Sequence, residues 1–309
     1  MTVPAFPTLR EGDLVGIVAP AGPSDPDRVA LVGPLLAKQG LRTRLYPTCH
    51  RREGFLAGTD DERLADLHAA WVDPEVRLVW CLRGGYGSGR LLDRLDAGLA
   101  RQQPKLLVGY SDITALHAWL CHAGLPSLHA PMPGSDLVRE GREADAAALF
   151  EMLRVGLRAG HAWRPERAAT GLHRDGVAEG LVVGGNLSLV ASLMGTPWAW
   201  PTQGAILFLE DINEEPYRVD RYLLQLRLAG VLDAAAGFLI GSFSEQASPD
   251  DVLAHYLLPT GKPVLGGWPT GHGTPNRPLP MGVRARLDAG AGELTLLEDL
   301  IRPTAHGDS

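Results

Sequence analysis

Three short segments of the 309-residue chain place reactive side chains on sharp turns. In Gly109-Tyr110-Ser111-Asp112-Ile113-Thr114, a serine follows a run of buried-strand character and precedes a helical pattern. That strand–turn–helix context raises a serine hydroxyl at the carboxyl edge of a sheet, and the helix N-terminus offers free N–H groups to a developing oxyanion. Ser111 also reads as a plain helix cap, since serine is among the best N-cap residues. Ile113 stands where a G-x-S-x-G elbow has its second glycine.

The second segment is Arg83-Gly84-Gly85-Tyr86-Gly87-Ser88-Gly89-Arg90, again between a strand and a helical pattern. Its spacing meets neither the dinucleotide fingerprint nor the P-loop. Dense glycine lets backbone approach a ligand and supplies N–H donors, to a phosphate or to an oxyanion; it equally makes an ordinary tight turn. The third is Gly271-His272-Gly273-Thr274-Pro275-Asn276, where His272 is a base or a surface residue of a loop. Between them lies Leu209-Glu210-Asp211-Ile212-Asn213-Glu214-Glu215-Pro216, a strand end rich in carboxylates before a helix start at Pro216. Acidic residues suit a helix N-terminus, and carboxylates without paired histidines are a weak metal signal. Taken together, serine, acid and histidine supply a nucleophile, an orienter and a base, in the chain order Ser–Glu–His that α/β-hydrolases use.

The elements that must position them follow from periodicity. Over residues 1–135, strands are expected at Asp13–Ala19, Leu41–Tyr46, Arg77–Leu82 and Lys105–Val108. Helices are expected from a Ser24 or Asp25 cap toward Gly40, from the Thr59/Glu62 capping box to about Trp71, at Gly89–Leu95 and at Asp112–His122. This alternation predicts an α/β domain, a mostly parallel sheet flanked by helices. Residues 136–175 read as a connecting helix, Ala144–Leu157, and a linker. From 176 to 309 the pattern changes to a smaller, β-rich α+β domain. It has strands at Val177–Val183, Ile206–Leu209, Gly237–Gly241 and Gly282–Leu287, and helices at Leu187–Met194 and Arg218–Leu228. The polar end, Thr304–Ser309, is expected to fray.

Composition bounds the rest. Glycine (37) and proline (24) make up about one-fifth of the chain, above average usage but short of the disordered range, which means many tight turns in a folded protein. A net charge of −7 with no basic run disfavours nucleic-acid binding. Cys49, Cys81 and Cys121 are scattered, without CxxC spacing, as expected in a reducing compartment. No signal peptide or membrane-length apolar run is seen, so a cytoplasmic location away from membranes is expected.

At these residues the sequence resembles the LD-carboxypeptidases, the serine peptidase family that includes murein tetrapeptide carboxypeptidase and the microcin-immunity peptidase. The resemblance runs through FLAGTDDERLADL (55–67), CLRGGYGSGRLL (81–92), VGYSDITAL (108–116), GGNLSLVASLMGTPW (184–198), FLEDINEEPYRVDRYLLQLRLAGVL (208–232) and GHGTPNRPLPMG (271–282). It implies a Ser111–Glu210–His272 triad, oxyanion donors in the backbone N–H groups of Asp112 and Gly85, an active site between two domains, and a homodimer. It implies no metal and no cofactor. The expected reaction is hydrolysis of the L–D peptide bond to the terminal D-alanine of murein tetrapeptide, L-Ala-D-Glu-diamino acid-D-Ala, during cell-wall recycling. The alternatives are a same-family peptidase cleaving a peptidyl-nucleotide amide and a non-catalytic ligand-binding protein on the same scaffold. For substrate contacts, Arg83 is a candidate for the terminal carboxylate, and Glu214 or Glu215 with Arg218 for the diamino acid. Tyr86 and Trp198 are candidates to line the cleft. Each has a structural reading beside it: support of the glycine turn, surface charge at a helix start, or packing.

Overall fold

A computed structural model describes residues 4–166, 171–244 and 248–303. The expected fraying of Thr304–Ser309, and part of the expected linker, lie outside the described residues. The first sheet contains Leu14–Val18 (β1), Arg42–Leu45 (β2), Val76–Cys81 (β3), Leu106–Gly109 (β4) and Ser127–His129 (β5). All five are parallel, in the order β2-β1-β3-β4-β5. Winding starts at β1 and proceeds in both directions, so the order reverses between β1 and β3. In open sheets of this kind the crevice at the carboxyl ends of such strands is where ligands bind. The loops leaving β1 and β3 meet there, with Gly22 N–H donating to Gly84 O at 3.2 Å.

Helices Pro26–Ala37 (α1), Asp60–Val72 (α2) and Thr114–His122 (α3) begin on identifiable signals or directly after the Ser111–Ile113 turn. Asp25 caps α1 through Asp27 N–H, with Pro26 at the first position. Thr59 and Glu62 exchange both bonds of a capping box on α2. The expected Gly89–Leu95 helix forms as a tighter 3-10 segment, Ser88–Arg94, and the expected Asp112–His122 helix opens with a 3-10 turn, Ser111–Ile113, before α3. The connecting helix is Glu143–Val155 (α4).

The second sheet has eight strands. Its centre is parallel: Val177–Asn186 (β6), Ile206–Ile212 (β7), Gly237–Ser244 (β8) and Val264–Leu265 (β9). Near its edges, Arg284–Asp288 and Glu293–Leu296 run antiparallel as a hairpin on β6. Leu187–Ser192, Pro216–Leu228 and Asp250–Leu257 are its helices, the last without a sequence expectation. Leu279–Met281 (β10) lies in the C-terminal half yet pairs antiparallel with β5, as the sixth strand of the first sheet. The segment between β9 and β10, which carries His272, is thereby strung from one sheet to the other. Helix α3 packs on β6, and one apolar core runs through both halves. The ends are also joined, because Phe6–Pro7 pairs with Ile301–Arg302.

Candidate active site

Ser111 follows β4 by two residues, at the sheet's carboxyl edge. Its φ is 64°, in the left-handed region that a non-glycine residue enters only when its surroundings hold it there. This turn lifts the side chain out of the helix line. The hydroxyl caps nothing in α3, whose start has no side-chain cap, so the plain-cap reading does not hold. It faces His272 instead: Ser111 Oγ to His272 Nε2 is 3.0 Å. Gly84 lies against it, and a Cβ there would sit 2.8 Å from Ser111 Cβ and 3.0 Å from its Oγ.

Glu210 is fully buried at the carboxyl end of β7. Its Oε2 accepts from His272 Nδ1 at 2.7 Å and from His272 N–H at 3.2 Å. The pairing of β7 with β8 slips here, so that Gly241 and Ser242 face Glu210 together. Such a bulge re-aims side chains; Ser242 Oγ accepts Gly273 N–H at 2.8 Å and so ties the histidine loop to the sheet. Gly271, at φ 117°, leaves room for the carboxylate, since a Cβ there would lie 2.6 Å from Glu210 Oε2. Tyr110 covers the imidazole, ring centroids 4.8 Å apart, and donates its hydroxyl to Asp136 Oδ1 at 2.9 Å.

The electrostatics follow from these contacts. Burial alone would push the Glu210 carboxyl up, but the imidazoles of His272 and His129 beside it more than compensate and hold it below the ordinary range. Burial alone would lower His272, yet the Glu210 charge and hydrogen bond raise it above 6.5. Asp211, next along β7, is pushed up to about 6 by burial and by the Glu210 charge. Its Oδ1 accepts Asn186 Nδ2–H at 2.7 Å and its Oδ2 accepts Ser188 N–H at 2.9 Å. Asn186 N–H in turn donates to Thr114 Oγ1 at 3.0 Å, which joins the start of α3 to the second sheet.

Asp112 is buried, its carboxylate accepting Ser88 N–H at 2.8 Å. The Gly84 carbonyl accepts from Gly22 N–H at 3.2 Å and Arg83 Nε–H at 3.2 Å. In a trans peptide the carbonyl and the next N–H point oppositely, so this pinning turns Gly85 N–H away from Gly22. Arg83 also donates from Nη1 to Pro23 O at 2.9 Å, which commits it to the two loops at the sheet's crevice. Tyr86 is 54 % exposed and meets Phe55 edge-on at 5.5 Å. Glu214 accepts Tyr222 OH at 3.4 Å and lies 3.7 Å from Arg218 Nη1; Glu215 is exposed. Trp198 is not beside the serine: it packs on His122, at the far end of α3, about 12 Å along the helix from Thr114.

Sequence reasoning missed His129, fully buried at the end of β5 and 3.8 Å from the second Glu210 oxygen. It also missed Tyr110 and Asp136. A lone histidine in the apolar stretch Leu125–Met132 carries no spacing signal. Among the described residues no group of three or more His, Cys, Asp or Glu is arranged to hold a metal ion, and no helix is long and apolar enough to cross a membrane.

Two family models match the chain: the LD-carboxypeptidase N-terminal domain over residues 15–130 and the LD-carboxypeptidase C-terminal domain over residues 179–287. A "probable murein peptide carboxypeptidase" of Bacillus subtilis is 39% identical over 293 residues, 91% of this chain and 90% of that protein. The crystal structure of a muramoyltetrapeptide carboxypeptidase from Oxalobacter formigenes is 33% identical, with a TM-score of 0.79, over 94% of this chain and 100% of that one. The fold is also shared with MccF in complex with glutamyl sulfamoyl guanosine, at a TM-score of 0.88 and 22% identity over 96% of this chain and 99% of that one.

Proposed function

The chain belongs to the LD-carboxypeptidase family of serine peptidases, and from that premise we propose that it hydrolyses the L–D peptide bond to the terminal D-alanine of murein tetrapeptide. The observation that carries this reading is the continuous contact Ser111 Oγ–His272 Nε2–His272 Nδ1–Glu210 Oε2, at 3.0 and 2.7 Å.

Ser111 Oγ attacks the carbonyl carbon of the diamino acid while His272 Nε2 takes its proton. Glu210 Oε2 holds the Nδ1–H tautomer and balances the imidazolium. The tetrahedral oxyanion is received by the N–H groups of Asp112 and Gly85, each worth ~10²–10³ in rate. The Gly85 assignment draws support from the pinned Gly84 carbonyl, which turns the next N–H toward the opposite side. Collapse expels D-alanine, whose amine takes the proton back from His272. Water then repeats the sequence on the acyl-serine and releases the tripeptide.

Tyr86 stands at the exposed lip beside the glycine turn, as a wall for substrate. Glu214, in the loop after β7, and Arg218, in the first turn of the helix Pro216–Leu228, form an acid–base pair suited to a zwitterionic side chain. The contacts of Arg83 support a role in holding the glycine turn ahead of one in binding the terminal carboxylate. A cytoplasmic recycling role and a homodimeric state belong to the same reading and rest on the family resemblance.

Mass spectrometry of tripeptide release from murein tetrapeptide, with an aminoacyl-sulfamoyl adenylate as competing substrate, tests the proposal. Wild type should process the tetrapeptide in preference to the adenylate, and Ser111→Ala should fold normally and turn over about 10⁴-fold more slowly or worse. Near-full activity of that variant would remove the nucleophile assignment, and preference for the adenylate would remove the substrate.

A further inference from the structure

Glu210 has two oxygens, and the relay uses one. Oε2 takes both bonds from His272, while Oε1 is sealed from solvent with no hydrogen-bond partner among the described residues. A half-unsatisfied buried carboxylate is costly, and it is also free to rotate its oxygens away from the imidazole it must orient. The polar group that approaches Oε1 is His129 Nε2, at 3.8 Å, and both His129 nitrogens likewise lack a hydrogen-bond partner. That distance exceeds a hydrogen bond, yet it leaves no room for a bridging water, which would hold the two atoms about 4.5 Å apart.

The ring plane of His129 is set by its neighbours. Tyr110 lies at 5.4 Å, Phe208 meets it edge-on at 5.2 Å, and His117 is stacked on it at 6.2 Å. His117 is itself fixed, with Nδ1 on Ser127 Oγ at 2.7 Å and Nε2 on Gly109 O at 2.9 Å. In a neutral imidazole one nitrogen carries the proton. An unprotonated Nε2 would set its lone pair against a carboxylate oxygen, so the proton belongs on Nε2.

We propose that His129 is a positioning residue, whose Nε2–H is the partner of Glu210 Oε1 and fixes the carboxylate so that Oε2 stays on His272 Nδ1. The inference rests on Ser111, His272 and Glu210 acting as one catalytic unit, and its main readout needs no substrate. Without that N–H the carboxylate is free to turn, and Glu210 Oε2 holds the His272 imidazolium less tightly. The other charged and titratable groups facing this cluster are Asp211 on β7, Asp136 beyond Tyr110, and Arg142, which donates to Gly273 O at 3.2 Å. None of them is altered by a change at His129.

Nitrogen-detected NMR of the free protein tests this directly. In wild type, His129 should be the Nε2–H tautomer with a slowly exchanging ring proton; the Nδ1–H tautomer would overturn the proposal, and this measurement needs no variant. His129→Phe keeps the ring and removes the donor, and His129→Gln returns an amide N–H. His129→Phe should lower the His272 titration midpoint and lower kcat on the tetrapeptide about tenfold or more, with KM within about threefold, as expected when a small misplacement of the base slows the reaction and leaves binding intact. His129→Gln should recover most of both. An unmoved or raised His272 titration in folded His129→Phe, or equal losses in the two variants, would overturn it. If no tetrapeptide is cleaved by wild type, the His272 titration still decides the role of His129.

Discussion

In the proposed mechanism, transfer of the Ser111 proton requires a neutral His272, and Glu210 makes that neutrality harder to reach. Its charge and hydrogen bond raise the imidazole above 6.5, so the imidazolium persists to higher pH than in a free histidine. The active base form appears as pH rises through that raised value. The acid limb of kcat/KM, measured on the tetrapeptide, should therefore have an apparent pKa above 6.5, and Glu210→Gln should move it down while cutting the rate. At the glycine turn, a methyl on Gly84 would displace the serine it faces, with 2.8 Å between the two Cβ atoms. Gly84→Ala should cost about 10²-fold in kcat/KM, because small misplacement of a reacting group is expensive, while a melting curve shows a much smaller effect. Ser111, Glu210 and His272 were readable as types and order, in turns that glycine and proline mark. His129 was not, because its part comes only from a partner eighty residues along the chain and from a strand order that no local pattern encodes.

Among the elements, the contact that matters most for geometry is the one between the start of α3 and the end of β6. Thr114, fully buried, accepts Asn186 N–H, and Asn186 continues to Asp211 beside Glu210. The helix that begins just after Ser111 is thus bonded to the strand that neighbours Glu210. Thr114→Val keeps the shape and orphans a buried amide, so it should destabilise by about 1–3 kcal/mol in denaturant titration. The strands and helices around this junction were legible, since β1 and β4 are continuous apolar runs, β3 is broken only by exposed Arg77, and the caps at Asp25 and Thr59 are local signals. Leu279–Met281 was not. A three-residue strand carries too little pattern to be seen, and nothing in it says which sheet it will join. Asp112 and Ile113 were likewise read as the start of the helix, whereas the chain first makes a 3-10 turn over Ser111–Ile113.

For the molecule as a whole, the contacts that hold the two sheets to each other include the α3–β6 junction, the β5–β10 pairing and the joined ends. At the ends, Leu157 N–H donates to Ile301 O at 2.7 Å, and Ile301 is buried beside Phe6. Ile301→Ala should cost about 2–5 kcal/mol by the loss of packed methylenes. Tryptophan fluorescence and loss of activity should follow one common unfolding curve, for wild type and variant alike. The strap from β9 to β10 has a further consequence in time. A ribosome makes Ser111, its glycine turn and the helix behind it long before it makes His272, and the far end of the strap that carries the imidazole is tied down when residues 279–281 pair with β5. The nascent chain therefore carries Ser111 without the histidine it faces for much of its synthesis, and the contact between them forms late, as a by-product of the fold being closed.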